Sequence, residues 1–137
     1  MVKHPYVRAY LAGIAVPTVL LLVAISGYTV LRYVFNVPVP MERIIVFPMA
    51  AVPNLWGLWN VIYVARFARR NVPLGLFGSL LPLLLGPIGY GISRLLDFSI
   101  PSLIFHLLPL GIPAALIIYY LAWKHLVGFL NRELDLA

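Results

Sequence analysis

The sequence predicts an all-α integral membrane protein, a four-transmembrane-helix up-and-down bundle with proline-kinked helices and short loops. Three observations predict it. Hydrophobic residues make up 63% of the 137 residues and charged ones 10%, more apolar surface than a water-soluble domain of this size can hide. The apolar runs are continuous rather than alternating, which favours helices over a barrel. The basic residues stand in ones and twos at the ends of those runs, where lipid headgroups lie. One membrane domain over 1–137 is expected, with spans near 9–35, 41–67, 74–96 and 102–123.

The first span follows a short basic lead, Lys3 to Arg8. The lead resembles the start of a signal peptide, but the apolar run behind it is too long for one. Ala9, Ala12, Gly13 and Ala15 make its early turns slim, and Pro17 removes the hydrogen bond to the Gly13 carbonyl, so a bend is expected there. NVPVP is a tight connection, after which Pro40 can open the second span with Glu42 in its positive first turn. That span holds Pro48, Pro53 and the sequence PNLWGLWNVIY. ARRNVP leads to the third span, and DFSIPS to the fourth, with Ser99 as a cap and Pro101 as an opening residue. In the tail, residues 124–137, Leu126, Phe129, Leu130 and Leu134 recur against Lys124, Asn131, Arg132 and Asp135, a pattern that predicts an amphipathic cytoplasmic tail, a helix end lying on or just above the membrane surface.

The third span carries small residues in a line. Gly75, Ser79, Pro82, Gly86, Gly89 and Ser93 follow one another in steps of four or three, which on a helix forms one narrow face. In lipid such a face lets another backbone approach closely, so this span is expected to be the central packing partner, with Leu81, Leu84, Leu85, Ile88 and Ile92 opposite. FPMAAVPNLWG and LPLLLGPIGYG share proline, proline, an aromatic and glycine at identical spacing. Because their helices run in opposite directions, the pair has the form of an inverted repeat, which in transporters points to a site near the midplane.

Orientation follows from the basic residues. Lys3, Arg8, Arg66, Arg69, Arg70, Lys124 and Arg132 fall on one side and Arg32, Arg43 and Arg94 on the other, seven against three. Both termini are therefore expected in the cytoplasm, in a multi-pass protein of a prokaryotic inner membrane. The net charge of +6 reads as attraction of the basic loops to anionic lipid headgroups rather than to nucleic acid.

Residues able to carry chemistry are few. Trp56, Trp59, Asn60 and Tyr63 lie at i, i+3, i+4 and i+7 and form one aromatic and amide stripe, with Asn54 projecting elsewhere. These five are the candidate ligand-binding residues, facing the small-residue line of the third span. The plainer alternative is that Asn60 bonds a neighbouring helix, since an amide in hydrocarbon must find partners. Pro53, Pro87 and Pro113 would release the carbonyls of Met49, Leu83 and Pro109. His106 and His125, nineteen residues apart on one helix, would be about 28 Å apart, too far for two ligands of one haem. Arg94 and Asp97 are placed to pair at the end of the third span.

No motif for metal or phosphate chemistry is present, cysteine is absent, and the four acids lie outside the apolar cores. No acid or base falls near the middle of any span, which argues against an ion-coupled pump. The chain is similar in size and helix count to small multidrug transporters and small fluoride channels. It lacks the first-helix glutamate of the former and the Phe-rich polar break of the latter. Two functions are expected: binding or transport of a neutral, partly apolar small molecule, or a non-catalytic accessory subunit of a larger membrane complex. No cofactor is implied, and a bundle with so little interior is expected to work as a homo-oligomer or within such a complex.

Overall fold

The computed structural model describes residues 3–136, so the outermost residues of the expected domain lie outside the described residues. Four helices, α1 (Pro5–Tyr33), α2 (Met41–Arg70), α3 (Leu74–Leu95) and α4 (Ser102–Glu133), are long and apolar enough to cross a membrane. No strand occurs among the described residues.

The helices end in one repeated way. Asn36, Asn71, Asp97 and Asp135, just past their ends, have φ of 54°, 55°, 54° and 55°. Asn and Asp enter this left-handed region more readily than other side-chain-bearing residues, and the turn it makes closes the helix as a C-terminal glycine often does. Pro40, Pro73 and Pro101 then stand directly before α2, α3 and α4, without a side-chain cap. A proline there forfeits no helical hydrogen bond and fixes the entering φ.

Prolines also shape the helix interiors. Pro48 lies in a wider π turn, Ile45–Met49, and α3 is interrupted at Leu80, where Pro82 lacks the N–H that would reach the Gly78 carbonyl. Two further π turns, Tyr63–Phe67 and Trp123–Val127, lie in α2 and α4.

The core sits at the end of the bundle that holds both termini. Trp123, Leu81 and Val127 are fully enclosed there, with Trp56 and Leu85 against them. At this end α1 and α2 meet backbone to backbone: a Cβ on Gly13 would come within 2.6 Å of the Trp56 carbonyl oxygen and 2.8 Å of the Gly57 Cα. Ala9 and Ala12 are buried beside it. On the other side, Gly75 and Gly78 of α3 receive Tyr120 and Trp123 of α4, and no Cβ fits between Gly78 and the Trp123 ring. Close approach at small residues is how helices gain dispersion contact in lipid, where solvent exclusion does not drive them together.

The far end is open. Residues 26–38 of α1 and its following loop, and residues 102–114 of α4, are exposed throughout. Between the loops there, Arg43 Nη1 donates to the Ser99 carbonyl at 3.3 Å and lies over the Phe98 ring at 5.1 Å.

Two expectations need correction. The small residues of α3 do not form one packing face. Gly75 meets Tyr120 and Gly89 meets Phe47, but Gly86 has nothing within 4 Å, while Leu81 and Leu85, expected opposite, are buried. The break at Leu80 separates the two halves of α3, and past it the leucines Leu81 and Leu85 are enclosed rather than Gly86. The tail does not turn all of its polar side outward either. The chain continues through the π turn into Gly128–Glu133 with Val127, Gly128 and Asn131 buried, while Leu126 and Phe129 face outward.

Candidate functional site

The aromatic and amide stripe of α2 lies against this enclosed end, and each of its polar atoms is engaged within the chain. Asn60 is fully buried. Its Nδ2 donates to the Ala9 carbonyl of α1 and to Asn131 Oδ1 of α4, both at 2.8 Å. Asn131 returns the contact, donating from Nδ2 to Asn60 Oδ1 at 3.0 Å. Asn60 and Asn131 are the two buried polar side chains among the described residues. Their reciprocal pair ties α1, α2 and α4 at one level, and an amide in an apolar interior is tolerated only when so paired.

Trp56 stands a turn before Asn60 and packs on Tyr119 and Trp123, with ring centroids 5.0 and 5.2 Å away. Its Nε1 donates to the Tyr119 hydroxyl at 3.3 Å. Trp59 stacks on Phe77 at 4.8 Å and donates from Nε1 to the Phe77 carbonyl at 2.9 Å. That carbonyl lies beside the Leu80 break, where it also accepts from the Leu80 N–H at 3.4 Å. Tyr63 donates its hydroxyl to the Val72 carbonyl at 2.9 Å and so pins the loop between α2 and α3. Asn54 is exposed, accepts from the Tyr10 hydroxyl and donates to the Ala50 carbonyl at 2.7 Å.

The five sequence-selected residues therefore divide. Trp56, Trp59, Asn60 and Tyr63 share one end of the bundle, whereas Asn54 joins α2 to α1 on its outer side. Tyr63 also borders a cavity of about 250 Å³ lined by Leu74, Gly75, Tyr120, Lys124, Asn131 and Arg132. Of the six small residues of α3, Gly75 joins this cavity, while Ser79 and Ser93 satisfy their hydroxyls on the Leu76 and Gly89 carbonyls of their own helix. His106 is exposed with Nδ1 2.9 Å from the Ser102 carbonyl.

Sequence reasoning missed Trp123, Asn131 and Gly78. A signal was present: Trp123, Val127 and Asn131 recur every four residues with Gly128 beside them. The reading of the tail as a helix end at the membrane surface places Asn131 on its polar, outward side. Within a bilayer a polar residue turns instead toward other helices. Trp123 Nε1 is the one buried side-chain polar atom among the described residues that has no partner.

Comparison with protein-family models, with curated proteins and with solved structures finds no match for this chain.

Proposed function

We propose that this chain is a non-catalytic accessory or assembly subunit of a membrane complex, multi-pass with both termini cytoplasmic. The observation that carries the reading is the exposure of residues 102–114 on every side of α4. That half-helix contains Pro109 and Pro113, whose missing N–H groups leave the carbonyls of Phe105 and Pro109 without their helical donors. In hydrocarbon an unpaired backbone group costs several kcal/mol, so a donor from a neighbouring helix or a trapped water is needed. By contrast, Ser26 and Thr29 on the equally open half of α1 bond the Leu22 and Ile25 carbonyls of their own helix at 2.8 and 2.7 Å.

The small-molecule reading had rested on the α2 stripe, whose polar atoms are already paired inside the chain. A ligand there would have to displace the Asn60–Asn131 pair or the Trp59 bond to Phe77. The partner reading asks nothing of them.

Because the chain lacks cysteine, single cysteines can test this. Leu107→Cys and Leu110→Cys on α4, treated in native membranes with a thiol-reactive photo-crosslinker, are expected to give discrete protein adducts, with itself or with another chain. Val23→Cys on α1 serves as comparison. Lipid adducts alone at all three positions, together with a monomer that is stabilised by a small apolar ligand after purification, would overturn the proposal.

A further inference from the structure

The cavity at the termini end has a chemistry that neither the stripe nor the partner reading uses. Along α4, Tyr120, Lys124, Gly128 and Arg132 are spaced by four and share its rim, and Asn131 lies beside them. Gly128 lies within contact of both sides of the rim: a Cβ there would meet Leu74 at 3.5 Å and Arg132 Nη1 at 3.6 Å. Pro73, Leu74, Gly75 and Tyr63 close the other side.

Nearly every charged or polar group on this lining donates. Lys124 and Arg132 are cations and no carboxylate lines the cavity; the exception is the Tyr63 hydroxyl, whose hydrogen goes to Val72 and which can only accept from the cavity. The paired amides of Asn60 and Asn131 hold four N–H bonds. Asn60 directs both of its own to Ala9 and Asn131, and Asn131 gives one back, so the remaining N–H belongs to the residue that lines the cavity. Lys124 lies 5.7 Å from the centre of the Tyr120 ring, which holds its ammonium at the rim. A lining of donors calls for an acceptor-rich anion. At about 250 Å³ the space is below the roughly 300–1,000 Å³ of drug-sized ligand sites and suits one compact group.

We infer that this cavity binds a phosphate group of net negative charge, one not neutralised by a cation of its own as in choline lipids, with Lys124 and Arg132 as its charged contacts and Asn131 as a neutral donor. Its place at the end that carries the basic loop Arg66–Arg70 favours the headgroup of an anionic phospholipid. The inference requires the membrane reading but not the proposed partner.

The test uses the full chain in non-ionic detergent, probed with phosphatidylglycerol, phosphatidylcholine and inorganic phosphate by native mass spectrometry and thermal shift. Wild type is expected to retain one phosphatidylglycerol in preference to phosphatidylcholine. The pair Lys124→Gln and Arg132→Gln is expected to weaken that binding about tenfold or more, whereas Lys124→Arg with Arg132→Lys keeps it. Arg43→Gln at the far end should leave it unchanged. Competition by millimolar inorganic phosphate would assign the site to the free ion, and its failure to compete to the lipid; both uphold a phosphate site. Equal retention of the two lipids by wild type, or undiminished binding by the double glutamine variant, would overturn it. If that variant does not fold, the exposed Lys124→Gln alone carries the same comparison.

Discussion

Phe47–Gly57 in α2 and Leu81–Gly91 in α3 share proline, proline, an aromatic and glycine at the same spacing, but their surroundings differ. Trp56 is 4% exposed and its counterpart Tyr90 is 50% exposed. A Cβ on Gly57 would collide with Tyr10 and Ile14, whereas one on Gly91 would meet nothing within 4 Å. The two segments run opposite ways along the bundle, so the aromatic and glycine of the first point to the enclosed end and those of the second to the open end. Spacing fixes which residues share a helix face; the neighbouring helix decides what that face does.

Four substitutions break or sharpen this comparison, read as equilibrium unfolding in mixed detergent. Gly78→Ala should be the most damaging, about 3 kcal/mol, because the new methyl falls on the Trp123 ring, itself locked in the core. Gly57→Ala should cost about 2 kcal/mol, since the Tyr10 ring and Ile14 can partly give way. Trp59→Phe keeps the stacking on Phe77 but loses the bond to its carbonyl, for about 1 kcal/mol. Gly91→Ala, in open space, should be neutral or stabilising by about 0.5 kcal/mol through helix propensity. Equal costs for Gly57→Ala and Gly91→Ala would mean that the two halves of the apparent repeat are packed alike.

Much of the helical layout was legible in the sequence. Long apolar runs set the four helices, and Asn or Asp followed within a few residues by proline set the three connections between them. The α2 stripe was legible as a face because i, i+3, i+4 and i+7 spacing needs no knowledge of partners. Its partners were not legible. Asn60 finds Asn131 seventy-one residues away, a residue that the amphipathic pattern of the tail places on its polar outer face. The line from Gly75 to Ser93 failed for a local reason: Pro82 stands within it, and the break it makes at Leu80 separates Gly75 and Ser79 from Gly86 and Gly89.

At the packed end, one buried amide pair ties α4 to α2. A double-mutant cycle with Asn60→Leu, Asn131→Leu and both together measures this directly. The buried pair predicts that each single change strands the other amide and costs about 2 kcal/mol. The double variant should then lose little more than either single, a coupling of about 1 kcal/mol or more. Strictly additive costs, or an Asn131→Leu variant as stable as wild type, would return Asn131 to the surface and contradict the packed end described here.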